Sequence, residues 1–334
     1  MTGSPLPVRV VVLTMFDPGN APGGLGDGEL RRWVDRLPLP EALPFPFGPG
    51  QLRLDRERGV LAVLTGAGNA PAAAVVTALG LDPRFDLTRA YWLMAGIAGA
   101  DPERMTLGSA AWLDWVVDGD LLLEVDRSEA PPGWSTGRLP LGKAEPFARP
   151  AGSNWTTSSY PLNRGLAAWA AGLTREVALA DDAGAAALRA GFGHGAPGVI
   201  TGAVLGSSNF WHGHRLLAWA REWVDYWTGG EGRLVASAME DAGIALALRG
   251  LDRAGRADAD RLLMLRTASN YVVPRPGRSA AESIGSHKAE GFAGFAVALE
   301  NAYRVGRTVV DEITGDWARF AATVPGAGDG RRRG

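Results

Sequence analysis

What most constrains the fold is a recurring pattern. A short apolar, β-branched run closes on a glycine-rich turn and hands over to a helix rich in alanine. The first run, Val8 to Met15, reads VRVVVLTM. It has too little polar alternation for a strand with one face in water, so it fits a strand buried on both faces, with helices above and below the sheet. The following FDPGNAPGG is rich in turn residues and ends the regular backbone. Residues 29–37 give a short amphipathic helix, and the proline-rich 38–50 an irregular loop. A second strand at 59–64 runs into TGAGNAPAAAVVTALGL, a tight turn and then a helix able to lie close on a sheet.

Further strands are expected at 91–94, where AGIAG follows as a turn, within 108–120, and at 199–205, 233–236 and 261–268. Helices are expected over 163–191, divided by glycines, and over 216–226, 239–249 and 290–310. The stretch 121–154, rich in Pro, Gly and charge, reads as an excursion at an active site or interface. This order predicts an α/β chain with a mixed or parallel sheet. No clean linker divides it, so one domain is expected over 8–324, with 325–334 a flexible tail.

Composition narrows the function. Among 334 residues, 34 are basic and 36 acidic, for a net charge of −2. That lacks the concentrated positive charge that nucleic-acid phosphates require. Hydrophobic residues make up 46% of the chain, enough for a sizeable core. With no cysteine, disulfides, thiolate catalysis and Cys-ligated metals are excluded. The N-terminus does not read as a leader, and no run approaches the roughly 20 apolar residues of a membrane span. The expectation is a cytoplasmic protein with no integral membrane segment.

In α/β sheets, ligands usually meet the loops at strand C-termini. Five such junctions carry informative residues: FDPGN, TGAGNAPAA, MAGIAG with Gly96, GSSNFWHG and RTASNY. Gly66–Ala74 could offer backbone N–H groups to an anion. It has neither the GxGxxG of dinucleotide sites nor a phosphate-loop Lys-Ser/Thr, so neither NAD nor ATP is called for. Gly206–Gly213 packs Ser207, Ser208, Asn209, Phe210, Trp211 and His212 into one loop. Its aromatics could hold a heterocycle while its polar groups orient the edge, or they could simply pack in the core. His212 and His214 lack an adjacent carboxylate that would make a metal pattern.

Glu240, in SAMEDAGIA, is either an ordinary helix-start carboxylate or, if buried, a group able to accept two hydrogen bonds from a cis-diol. Asp241 is its neighbour but points elsewhere on a helix. Asn270 could cap a turn, or its amide could read a purine edge and stabilise charge on a leaving base, with Ser269 as helper.

Together these stretches resemble the purine nucleoside permease family, whose fold is that of the nucleoside phosphorylase and nucleosidase superfamily. The resemblance covers roughly Arg9 to Val310 and rests on VVLTMFDP, VLTGAGNAPAAAVVTALGLDPRFDL, AYWLMAGIAGADPERMTLGSAAWLDWVVDGD, GSSNFWHG and SAMEDAGIA. It implies a mixed, distorted central sheet flanked by helices and a purine nucleoside pocket beside it. Carried over residue by residue, Met239 and Glu240 contact the ribose and Asn270 handles the leaving purine. Phe210 packs on the base, with Trp211 the alternative one residue on and Asn209 beside them. Asp17 positions attacking water.

Phosphorylases of this fold place an arginine and a hydroxyl residue where this chain has Met94 and Ile97, neither of which binds phosphate through its side chain. The resemblance therefore implies hydrolysis of a purine nucleoside without a resident cofactor, in a homo-oligomer. Two alternatives stay open: phosphorolysis with inorganic phosphate as co-substrate, which asparagine at position 270 favours, and a non-catalytic nucleoside-binding or uptake accessory role.

Overall fold

The computed structural model describes residues 4–17, 27–149, 151, 158–285 and 294–326. Ten strands join in one sheet. They are β1 (Val10–Thr14), β2 (Glu41–Leu43), β3 (Leu52–Asp55), β4 (Val60–Leu64), β5 (Tyr91–Ala100), β6 (Ala110–Asp118), β7 (Ser159–Pro161), β8 (Val199–Gly206), β9 (Leu234–Ala238) and β10 (Leu262–Tyr271). Their order is β7-β6-β8-β9-β5-β1-β4-β3-β2, and β10 pairs with both β5 and β6. Strands β5, β9, β8, β6 and β10 therefore close a ring, and β1 to β4 extend from it as an open wing. Parallel pairs (β1 with β4 and β5, β5 with β10, β6 with β8, β8 with β9) mix with antiparallel ones (β9 with β5, β10 with β6). This is the mixed, distorted sheet expected.

The helices are α1 (Glu29–Arg36), α2 (Asn69–Gly80), α3 (Arg164–Thr174), α4 (Ala183–Gly191), α5 (His214–Thr228), α6 (Asp241–Arg253), α7 (Ala280–Gly285), α8 (Phe295–Gly315) and α9 (Trp317–Ala322). Alternate residues of β1 enter different cores. Val11 and Leu13 pack with Val76, Leu79, Leu248 and Leu251 of α2 and α6. Val10 and Val12 pack with Trp33 of α1 and Val305 and Val309 of α8. That is why the run reads apolar on both faces. A third core seats the tryptophans of α5 against Trp115 and Leu205.

Small residues let α2 and α6 approach closely. A Cβ at Gly80 would lie 2.2 Å from Leu251, and one at Gly243 would lie 2.1 Å from the Asn69 carbonyl oxygen. This contact brings the N-termini of the two helices together, where Asn69 Oδ1 accepts from the Gly243 N–H.

Three expectations change, the first being that 38–50, expected as an irregular loop, contains β2, paired antiparallel with β3. AGIAG is not a turn: β5 runs on through Ala100, because β10 pairs with it from Trp92 to Ala100 and satisfies the backbone that a turn would leave open. Asn270 accordingly lies inside β10, where the register shifts between Ala268 and Asn270. The break in 163–191 falls at 175–182 and not at a glycine; α4 starts where the Asp182 carboxylate accepts from the Ala185 N–H at 2.7 Å. The expected tail falls, from 327 onward, outside the described residues.

Candidate active site

The ends of β1, β4, β5, β8, β9 and β10 converge. On one side is a small solvent-open cleft of about 20 Å³, lined by Asn209, Phe210, Trp211, Met239, Asn270 and Gly99, among others. Phe210, 51% exposed, lines this cleft, whereas Trp211 is buried with the α5 core. The bulge in β10 turns Asn270 into this space. The Ser269 hydroxyl donates to Asn270 Oδ1 at 2.9 Å and the amide nitrogen donates to the Tyr271 carbonyl at 3.2 Å. The Tyr271 carbonyl thus sets nitrogen as the amide's donor end, while the Ser269 hydroxyl, also 3.1 Å from the Ala98 carbonyl, has two acceptors for its one proton. His212 lies apart from this polar edge and meets the Ser283 hydroxyl at 3.0 Å. Among the described residues, no group of three or more His, Asp and Glu is placed to hold a metal.

On the other side lies a buried charge cluster. Arg266, 1% exposed, uses all three guanidinium nitrogens: Nε to Asp241 at 3.1 Å, Nη1 to the Ile97 carbonyl at 2.9 Å, and Nη2 to Glu240 at 2.8 Å and Asp241 at 2.6 Å. Burial works against this charge, but Asp241 and Glu240 hold the guanidinium above its ordinary range. Glu240 precedes α6 and is buried. Its other oxygen accepts from the Gly68 N–H at 3.2 Å, so the glycine turn offers its backbone to the protein's own carboxylate. Gly68 holds a φ of +99° there, a conformation glycine adopts at little cost.

Glu29, the first residue of α1, completes the cluster. One oxygen accepts from the Met15 N–H at 2.6 Å and the other from the Ile97 N–H at 2.9 Å. Three carboxyl groups thus face one guanidinium, and a buried excess of negative charge favours retention of a proton. Desolvation pushes Glu29 up to about 7, against the pull of Arg266, with Glu240 adding to the rise. A carboxyl group poised near neutrality can both accept and return a proton. Gly96 is the floor on which the cluster closes: a Cβ there would lie 1.9 Å from Met15 Cε, 2.5 Å from Glu29 and 2.9 Å from Arg266.

Asp17 is buried, and its carboxylate accepts from the Gly28 N–H at 2.8 Å, at the entry to α1. Met94 is fully buried in the core. Ile97 enters the site through its backbone, whose N–H is taken by Glu29 and whose carbonyl is taken by Arg266.

Sequence reasoning missed Glu29 and Arg266. Arg266 had a readable signal, a charge inside the apolar run LLMLRTAS, since a strand buried on both faces tolerates an arginine only with partners. Glu29 had a weak one, because acidic residues in a first helical turn are ordinary.

The fold is that of solved nucleosidases. The structure aligns with the 5'-methylthioadenosine/S-adenosylhomocysteine nucleosidase of Neisseria meningitidis at a TM-score of 0.55, covering 93% of this chain and 99% of that one at 14% identity. It aligns equally with the futalosine hydrolase of Helicobacter pylori, at a TM-score of 0.55 with 91% and 98% coverage and 13% identity. The family model for purine nucleoside permease (NUP) matches residues 7–325, and the chain belongs to that family. A purine nucleoside permease of Candida albicans is 29% identical over 266 residues, 77% of this chain. The match spans 64% of that relative's length. No helix among the described residues is long and apolar enough to cross a membrane.

Proposed function

We propose that this chain hydrolyses the N-glycosidic bond of a purine nucleoside. The observation that carries the reading is Glu29: a buried carboxyl group near neutrality, bound to the Ile97 N–H beside the Glu240–Arg266 pair. In this scheme the purine lies on Phe210 and the ribose hydroxyls meet Glu240. As the bond between C1′ and the base nitrogen breaks, its electrons pass to the purine and C1′ becomes positive. Asn270 donates from its amide nitrogen to the base and stabilises that charge, and the negative field of Glu240 favours the cationic sugar. Glu29 orients water and takes its proton as oxygen bonds to C1′; the proton then passes on to the departing base. Asp17 holds Gly28 and so sets the backbone that carries Glu29.

Water is favoured over phosphate by what occupies the anion-binding groups. The Ile97 N–H, the Gly68 N–H and every nitrogen of Arg266 already face the protein's own carboxylates or carbonyls. A phosphate there would displace a carboxylate or meet it at close range. The test is base release from inosine and adenosine with and without phosphate. Equal rates in phosphate-free buffer, with free ribose as product, are expected; ribose 1-phosphate would refute the hydrolytic reading. Nucleoside bound without base release would favour the accessory role that the family's name suggests. The same reading expects a cytoplasmic homo-oligomer, which size-exclusion with light scattering would check for assembly.

A further inference from the structure

Asp120 closes the VVDGD stretch and has no role in the chemistry above. An Asx-type turn sets it, with Asp118 Oδ1 accepting from the Asp120 N–H at 2.7 Å. From there it reaches three groups on two other segments. Its Oδ1 accepts the Ser207 hydroxyl at 2.6 Å, and its Oδ2 accepts the Ser208 N–H and the Asn69 amide, both at 2.9 Å. Asn69 extends the chain of contacts. Its own N–H donates to the Ser208 hydroxyl at 2.9 Å, and its Oδ1 accepts from the Gly243 N–H at 3.0 Å in the first turn of α6. Burial works against the charge on Asp120, but Ser207, Ser208 and Asn69 hold it below the usual carboxylate range.

We propose that Asp120 and Asn69 form a positioning pair that sets the base platform against the sugar carboxylate before substrate arrives. This rests on the nucleoside-site reading above. The pair ties together the ends of β6 and β8, the start of α2 and the start of α6. On one side the 207–209 segment leads directly to Phe210. On the other, Gly68, next to Asn69, donates to Glu240. Ser208 and Asn209 are exposed, and the polar contacts of Ser208 run to Asp120 and Asn69. Without Asp120, ordering that loop would fall to the substrate, at a cost in affinity. Because Asp120 lies at the surface and is only partly covered, it orders the loop without adding to the core.

Asp120→Asn keeps the size and removes the charge; its NH₂ either opposes the Ser208 N–H and Asn69 amide or makes the Ser207 hydroxyl give up its donation to position 120. The expected result is a rise of about tenfold in KM for inosine or adenosine, with kcat within about threefold and a melting temperature near wild type. Ser207→Ala should move KM the same way by less. Unchanged KM in both variants, with wild-type cleavage intact, would overturn the positioning role alone. So would a fall in melting temperature with kinetics of the folded fraction unchanged. Wild type that neither binds nor cleaves either nucleoside would sink both readings. If wild type binds without releasing base, the Kd of Asp120→Asn replaces KM and decides the positioning role, while hydrolysis is refuted.

Discussion

Replacing Glu29 by glutamine should make the protein's stability less dependent on pH while removing its activity. In the folded chain Glu29 titrates near 7, against an ordinary 4.5. The folded state therefore binds this proton more tightly than the unfolded one. The associated stability is fully present below the unfolded value and is lost as pH rises toward the folded value. Integrating over that window, wild type should lose about 2.5 kcal/mol between pH 5 and pH 8 that a neutral glutamine does not. The glutamine NH₂ must face the N–H of either Met15 or Ile97, a penalty of about 1–3 kcal/mol present at both pH values. The difference between the two pH values removes that constant term. Urea titrations of both proteins at pH 5 and pH 8 measure it, and a stability gap that does not change with pH would refute the assignment. In the same variant, base release should fall by about 10²–10⁴-fold, and kcat/KM should lose the limb that rises with pH through about 7 in wild type. A limb that survives in Glu29→Gln belongs to another group.

Gly96→Ala should act on the same cluster by shape alone. Its methyl group would displace Met15 Cε and press on the Glu29 carboxylate; a cost of about 1–3 kcal/mol in urea unfolding is expected, with a much larger relative loss in base release. Wild-type turnover in Gly96→Ala would show that this floor need not be open. Asn270→Ala should slow single-turnover release of a purine by about a hundredfold while leaving the melting temperature near wild type. Its rate on a nitrophenyl riboside, whose leaving group needs no hydrogen bond from the protein, should be nearly normal; equal losses on both substrates would deny Asn270 its leaving-group role.

Much of the fold was legible because its strands are covered on both faces. VRVVVLTM, VLAVL and LLMLRTAS had to be interior strands, and the helices between them carried their apolar faces openly. The closure of the sheet was not legible. It depends on β10 pairing with β5 on one side and β6 on the other, and no local pattern specifies a pairing across more than 150 residues. That closure also turned AGIAG from the expected turn into strand. The grouping of Phe210, Met239 and Asn270 around one cleft could be anticipated because they stand where strands end or bend. The cluster side could not, since Glu29 looks like any acidic helix start until Ile97, 68 residues away, arrives over it. Asp17, also acidic and at the end of β1, drew attention by its place in the sequence, but only the folded backbone shows that it faces Gly28.

The arrangement of charge bears on whether a chain with this family's name needs a reaction at all. A binding site for a neutral nucleoside requires hydrogen-bond donors and acceptors, an apolar platform and little else. Glutamine at position 29 would serve such a site and remove the charge whose burial weakens the fold above its titration point. A glutamate is useful there if its proton has to move. The two readings therefore separate in a single variant. In a pure binding protein, wild type and Glu29→Gln should both return inosine intact and hold it about equally tightly, and the change that remains is in stability and its pH dependence. In a nucleosidase Glu29→Gln should hold inosine uncleaved, turning an enzyme that consumes its ligand into one that retains it, which equilibrium dialysis with labelled nucleoside would detect as intact inosine in place of free base.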